Sequence, residues 1–361
     1  MQPVHALDPN SAENLVAELG LPRYRAGQLL SWVYRRGVAD PEEMTDLPAA
    51  ARATLREHLS GAAVSSPDVQ ESSDGTRKLA VRLADGEVIE SVLIPDRERL
   101  TLCVSSQVGC AMGCTFCATA RLGLKRHLRV EEIVGQIVLA REVAATMGPE
   151  GRPLTNLVFM GMGEPLHNLD ALLPAIEILT SQWGLGISSR RITVSTVGLV
   201  PEMRRLLEST KVSLAVSLGA TTEEKRRELM PVTRKYSLAQ LLDACRKLPL
   251  PRRKRITFEY TLLTGENDAD EDARRLVALL HGIRAKVNLI YWNPFPGADY
   301  VRATRDRTHR FQRILLDHGV HASIRESRGP DIAAACGQLA AQSPAEPSGA
   351  TPTPEGVDPS S

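Results

Sequence analysis

Aromatic side chains are scarce in this chain, at 4% of 361 residues, so its core must be built mainly from aliphatic residues. Long apolar runs are missing too. None approaches the roughly 20 residues that cross a bilayer, and no membrane partner is expected. Neither sign of charge is in excess: the formal net charge is +1, so contact with nucleic acid would have to come from local patches. No secretory leader precedes the six cysteines, which argues against permanent disulfides and for a soluble, cytoplasmic protein. The length suits one large domain with an accessory one.

Two further absences concern the cysteines themselves. A closed structural zinc site takes four N or S ligands, usually from two separated pairs, and no second pair with that spacing exists. The ferredoxin run of four cysteines ending in proline is also missing. What is present is Cys110-Ala-Met-Gly-Cys-Thr-Phe-Cys117, three thiols spaced x3 then x2, with Gly109 and Gly113 letting the backbone curl around them. Three thiolates on a four-iron, four-sulfur cluster leave one iron with an open position, where a small ligand can bind and react. Cys110, Cys114 and Cys117 are therefore read as ligands of one catalytic [4Fe–4S] cluster, with zinc as the competing occupant.

This cysteine block, with Phe116 before its last thiol, resembles the signature of the radical S-adenosylmethionine (SAM) superfamily. The stretch Thr101-Leu-Cys-Val-Ser-Ser-Gln-Val-Gly-Cys110 resembles, more narrowly, the RlmN/Cfr family of RNA methyltransferases, and the likeness runs from about Arg23 to Leu339. The resemblance implies an α/β fold, a partial (β/α)6 barrel with a small N-terminal helical accessory domain. It also implies methylation of carbon 2 of one adenine in the peptidyl transferase centre of large-subunit (23S) ribosomal RNA. The adenine 3′ of the anticodon in tRNA is the second implied substrate, with a reductant such as flavodoxin as electron donor and a monomer as the working unit.

Taken in order, the chain begins with a helical module, residues 1–74. Asn10 or Ser11 could cap a first helix; the apolar residues Leu29, Leu30, Trp32, Val33 and Tyr34 predict a helix over 24–36 that Gly37 ends. Another helix is expected from Pro41 and a third over 50–59. A hairpin extension follows over 75–95, where Leu79, Val81 and Leu83 alternate, Asp85-Gly86 turns, and residues 88–94 return. Strands then alternate with helices through the core, 96–337, at 156–162, 190–196, 211–218, 255–263, 286–293 and 322–326. That rhythm argues for parallel βαβ units, six of them once the strand before the cysteine loop is counted. A tail, 338–361, turns rich in Pro, Ser, Thr, Gly and Ala from Gln342 and is expected to be disordered.

In such barrels the chemistry sits at strand C-terminal ends. Gly163-Glu164 ends one strand; alone it is as easily a plain turn, but the resemblance assigns it to the SAM amino group. Ser195, the run Ser217-Leu218-Gly219, and Asn293 fall where the resemblance places further SAM contacts. Gly219 departs from the family, which usually reads Ser-Leu-His there, so a side-chain contact is lost at that position and only a backbone one remains. Two basic runs, 121–129 and Arg252-Arg253-Lys254-Arg255, are candidates for RNA contact or simply solvated faces.

Glu90 lies in an apolar strand, where a lone acid usually marks the solvent face; Cys103, Cys245 and Cys336 would each pass as small buried hydrophobes. The resemblance gives three of these four residues roles. Glu90 becomes the proton acceptor, Cys336 the thiol that carries the methyl group, and Cys103 the thiol that resolves it through a transient disulfide with Cys336. Cys245 matches no motif and is read as packing. Carbon 2 of adenine is electron-poor and the SAM methyl is an electrophile, so simple displacement cannot join them. The implied route is radical: one SAM methylates Cys336, and a second yields the 5′-deoxyadenosyl radical that activates the S-methyl group. A Cfr-type enzyme acting on carbon 8 is the nearest alternative, disfavoured by Asn293-Pro-Phe-Pro-Gly297; a methylthiolating enzyme would need a second cluster, and Cys103, Cys245 and Cys336 are too scattered to hold one. A non-catalytic, zinc-containing RNA-binding protein is the alternative of another class.

Overall fold

The structure, a computed structural model, describes residues 1–340. The front module holds β1 (Gln2–Pro3), α1 (Pro9–Glu18), α2 (Tyr24–Leu30), α3 (Ala49–His58) and β2 (Leu59–Ser60), and β1 pairs with β2 in parallel to join its two ends. Asp8 caps α1, not Asn10 or Ser11 as expected. Its carboxylate accepts from the Ser11 N–H, while Ser11 Oγ accepts from the Asp8 N–H, each over 2.9 Å. The helix foreseen over 24–36 widens after Leu30 into a π turn, Ser31–Arg35, and ends at Gly37 with φ +77°. From Pro41 only a 3-10 turn forms, Pro41–Glu43.

The rest of the chain is built on a sheet whose strands run β3 (Asp68–Glu71), β4 (Arg77–Arg82), β5 (Val88–Asp96), β6 (Arg99–Cys103), then, past the short hairpin β7 (Gln107–Gly109) and β8 (Leu124–His127), β9 (Asn156–Phe159), β10 (Ile192–Thr196), β11 (Ser213–Ser217), β12 (Ile256–Leu262), β13 (Ala285–Tyr291) and β14 (Ala322–Arg325). Strands β6 and β9 to β14 lie side by side and parallel; β5, β4 and β3 extend the same sheet antiparallel. Helix α4 (Ala118–Arg121) follows the cysteine loop. The crossovers are α5 (Val130–Ala145), α6 (Leu169–Thr180), α7 (Val200–Ser209), the pair α8 (Glu223–Leu229) and α9 (Leu238–Lys247), α10 (Asp270–Leu280) and α11 (Arg305–Asp317). Six βα units and a closing strand result, with the sheet left open at β14 and β3.

Local chemistry explains the joints. Asp85-Gly86 makes the β4–β5 turn, with Gly86 at φ +88° and Asp85 Oδ1 accepting from the Glu87 N–H. Strand β3 lies within the range expected to be helical; Asp-Val-Gln-Glu carries one apolar residue and forms a polar edge strand. Cys245 packs in the core on α9 among Leu241, Leu242 and Leu248, as read. Residues 338–340 are held in place, unlike the expected tail: Thr119 Oγ1 donates to the Leu339 carbonyl over 2.6 Å, and the Ala340 N–H bonds a buried carboxylate. The remainder of that expectation, 341–361, lies outside the described residues.

Candidate active site

The cysteine loop hangs between β7 and α4. Gly109 is required here: its φ is +76°, a Cβ would stand 1.8 Å from the Gly123 carbonyl oxygen, and that oxygen accepts from the Cys110 N–H over 2.9 Å. Cys110 and Cys114 are buried and Cys117 half-buried. Burial pushes the Cys110 thiol up to about 12 and raises those of Cys114 and Cys117. Three thiols in such surroundings become thiolates only beside a positive partner, which an iron–sulfur cluster supplies. No trio of His, Cys, Asp or Glu among the described residues surrounds a single ion position. Three thiols on one loop are the soft donor set that an iron–sulfur cluster takes.

Two adjoining cavities open at the C-terminal ends of the parallel strands and share Cys117, Met160, Cys336 and Gly337 as walls. Gly163, Glu164, Ser195, Ser217 and Gly219 line the first; Cys103, Asn293 and Arg325 line the second. The structure thus gathers most of the residues singled out in the sequence. Leu218 is the exception among the expected SAM contacts. Its side chain is fully buried, its N–H donates to the Glu259 carbonyl, and its own carbonyl accepts from Arg226 Nε over 2.9 Å.

Glu164 is buried and its pKa rises to about 7 through burial, although it accepts from the N–H groups of Leu166 (3.1 Å) and Val197 (2.9 Å). Gly163 before it, at φ +98°, leaves room for Gln107, whose Oε1 accepts from the Glu164 N–H over 2.7 Å. Gly219, at φ +75°, faces Met230, and its carbonyl accepts from Asn267 Nδ2 over 2.8 Å. Asn293 Nδ2 donates to the Cys336 carbonyl (3.2 Å) while its Oδ1 accepts from Ser327 Oγ (2.6 Å), so it fixes the height of Cys336 over the cavity. Cys103 is buried, and burial raises its thiol to about 12, with nearby Cys336 adding to the shift.

Glu90 does not face solvent. It is 1% exposed, lines neither cavity, and lies beneath the segment that follows Cys336, where Oε2 accepts from the Ala340 N–H over 2.9 Å. The first basic run is largely neutralised: Lys125 pairs with Glu87, Arg126 with Asp85 and Glu132, Arg129 with Glu131 and Glu132. In the second run Arg252, Arg253 and Arg255 are exposed, while Lys254 Nζ donates to the carbonyls of Lys211 and Val212.

Comparison with known proteins agrees with this geometry. Residues 104–277 match the radical SAM superfamily, and residues 4–60 match the ribosomal RNA large subunit methyltransferase N-terminal domain. A protein of Anaeromyxobacter dehalogenans named dual-specificity RNA methyltransferase RlmN is 50% identical over 341 residues, 94% of this chain and 92% of that protein. The chain belongs to the RlmN family. The RlmN of Geobacter sulfurreducens is 49% identical over 349 residues, 96% of this chain and 94% of its own. A crystal structure of a radical SAM methyltransferase from Sphaerobacter thermophilus, 44% identical, superposes with a TM-score of 0.90 and covers 95% of this chain and 100% of that one.

Sequence reasoning missed three charged residues in this RlmN-family site. Glu259, on β12, is buried with a raised pKa, accepts from Ser195 Oγ over 2.9 Å and stands 4.0 Å from Arg325. Arg325, at the end of β14, has Cys336, Glu259 and Cys103 for neighbours, and their negative charge raises its pKa. Lys78, on β4, pairs with Glu90 over 3.1 Å. The only hint of Lys78 was its place on the alternating strand; Glu259 and Arg325 gave none.

Proposed function

We propose that this RlmN-family protein methylates carbon 2 of one adenine in 23S ribosomal RNA and of the adenine 3′ of the anticodon in tRNA. One observation carries the reading: Cys103 and Cys336, from opposite ends of the barrel sequence, line one cavity together with Cys117 of the cysteine loop. A structural zinc protein has no use for two extra thiols there. Cys110, Cys114 and Cys117 would hold a [4Fe–4S] cluster, and SAM would occupy the adjoining cavity. The cluster, when bound, supplies the electron that cleaves SAM to methionine and a carbon radical.

The chain's own residues do the rest. Glu164 and Gly163 receive the SAM amino group, whose positive charge would offset the burial that disfavours the Glu164 carboxylate. Ser195, Ser217, Gly219 and Asn293 would hold the remainder of SAM, while Leu218, its backbone bonded to Glu259 and Arg226, supports that wall from behind. Cys336 takes and delivers the methyl carbon, Glu90 accepts the ring proton, and Cys103 forms a disulfide with Cys336 to release the product. The target base leaves its stack to reach this depth. A flavodoxin-like reductant would serve a cytoplasmic monomer; among the described residues no helix is long and apolar enough to cross a membrane.

Anaerobically reconstituted protein is incubated with SAM, a reductant and either 23S ribosomal RNA or tRNA, and the digested nucleosides are weighed by mass spectrometry. 2-Methyladenosine from both RNAs is expected. Methylation at carbon 8 alone, or none with a full cluster, sinks the reading.

A further inference from the structure

Strand register places an unassigned cation against the proposed base. Glu90 on β5 stands opposite Ala80 on β4, and Lys78 stands opposite Val92. Residues directly opposite share a sheet face, so Lys78, Ala80, Glu90 and Val92 all point the same way. Val92 in turn faces Cys103 on β6, which brings the resolving thiol to that same face. Ala80 is too small to block the diagonal, and Lys78 Nζ reaches Glu90 Oε1 at 3.1 Å, with side chains 7% and 1% exposed. A lysine and a glutamate this deep are placed there only as a pair, since an isolated buried charge is far too costly.

We propose that Lys78 is the positioning residue for proton removal from the RNA base: its ammonium balances the Glu90 carboxylate and aims it at the ring carbon. The inference rests on the reading of Glu90 as proton acceptor. In the adduct, carbon 2 carries both its hydrogen and the new bond to the Cys336 methylene. The proton passes to a Glu90 oxygen, the C–H bonding pair stays with the ring, and the carboxylate becomes a carboxylic acid beside the ammonium. Ala340 must give up Oε2 for this to happen, whereas Lys78 holds the other oxygen and keeps the carboxylate from swinging away. Removing the Lys78 charge should therefore stall the reaction after the carbon–carbon bond forms.

The test uses the full chain with its cluster reconstituted, as Lys78→Met, Lys78→Gln and Glu90→Gln. Four quantities are read: visible cluster absorbance, S-methylation of Cys336 by peptide mass spectrometry, covalent protein–RNA adduct on denaturing gels, and 2-methyladenosine. For Lys78→Met the expected result is full cluster and Cys336 methylation, a 2-methyladenosine rate lower by about a hundredfold, and accumulated adduct. Lys78→Gln keeps a polar side chain without the charge and decides the matter if the methionine variant does not fold; the same stall is expected. Wild-type methylation by the Lys78 variants, with Glu90→Gln inactive, overturns the proposal alone. Loss of Cys336 methylation together with the product would mark a merely structural lysine and also overturns it. A fully active Glu90→Gln protein removes the reading beneath it, and the proposal with it.

Discussion

The backbone N–H of Ala340 and the carboxylate of Glu90, 250 positions apart in the chain, are joined by a 2.9 Å hydrogen bond. The proposed base is thus covered by the segment that carries the proposed methyl-bearing thiol, and that segment must lift from Glu90 before the base can act. Ala340→Pro removes that N–H and also restricts the backbone at Leu339, so Ala340→Gly, which keeps the N–H, is the control for loosened backbone. Cluster content should stay as in the parent while the methylation rate changes; an unchanged rate at saturating RNA would show that the contact has no part in turnover.

Cys336 acts, in this account, only after SAM is bound. Cys336→Ala should abolish RNA methylation while cluster absorbance and slow SAM cleavage persist. Counting iron per chain, 5′-deoxyadenosine and 2-methyladenosine in one preparation checks all three at once. Any methylated RNA from this variant would break the assignment.

Gly109 tests the cysteine loop. An alanine there meets a left-handed backbone, which costs on the order of 1–3 kcal/mol, and collides with the Gly123 carbonyl. The Gly109→Ala protein should bind less iron and lose its brown colour first on warming. Normal iron content with an unchanged melting temperature would contradict the geometry.

His5 offers a pH test far from the chemistry. It packs against Gly135 of α5, and burial lowers its pKa from 6.5 to about 4. The folded chain therefore binds fewer protons than the unfolded chain between those values, and stability falls as pH drops from 6.5 towards 4. The shift corresponds to roughly 3 kcal/mol when complete. Urea denaturation at pH 7 and pH 5 should show a smaller difference for His5→Phe than for the parent; equal differences would argue against a neutral buried imidazole.

The cysteine loop was legible because its chemistry is local: three thiols and two glycines declare themselves within nine residues, Gly109 to Cys117. The βαβ rhythm was legible for a similar reason, since buried parallel strands are short apolar runs set between helices. Glu90 was not readable from its own strand. Alternation reports which residues share a face but not whether that face meets water, and the cover comes from Leu339 and Ala340 at the far end of the chain. Arg226 shows the same limit. It sits in Glu-Glu-Lys-Arg-Arg-Glu, which reads as a solvated helix, yet it is wholly buried and donates to Leu218, Thr233 and Val197. Residues whose partners lie in other strands leave no periodic trace. The three missed charges of the site, Lys78, Glu259 and Arg325, are all of this kind.

The Gly337 carbonyl accepts from the Ala118 N–H over 2.7 Å, and Thr119 reaches Leu339 across 220 positions. During synthesis, then, the cysteine loop leaves the ribosome long before the segment of Cys336 that closes over it. For much of translation the loop would stand open to whatever machinery delivers a cluster, and residues 337–339 shut that door.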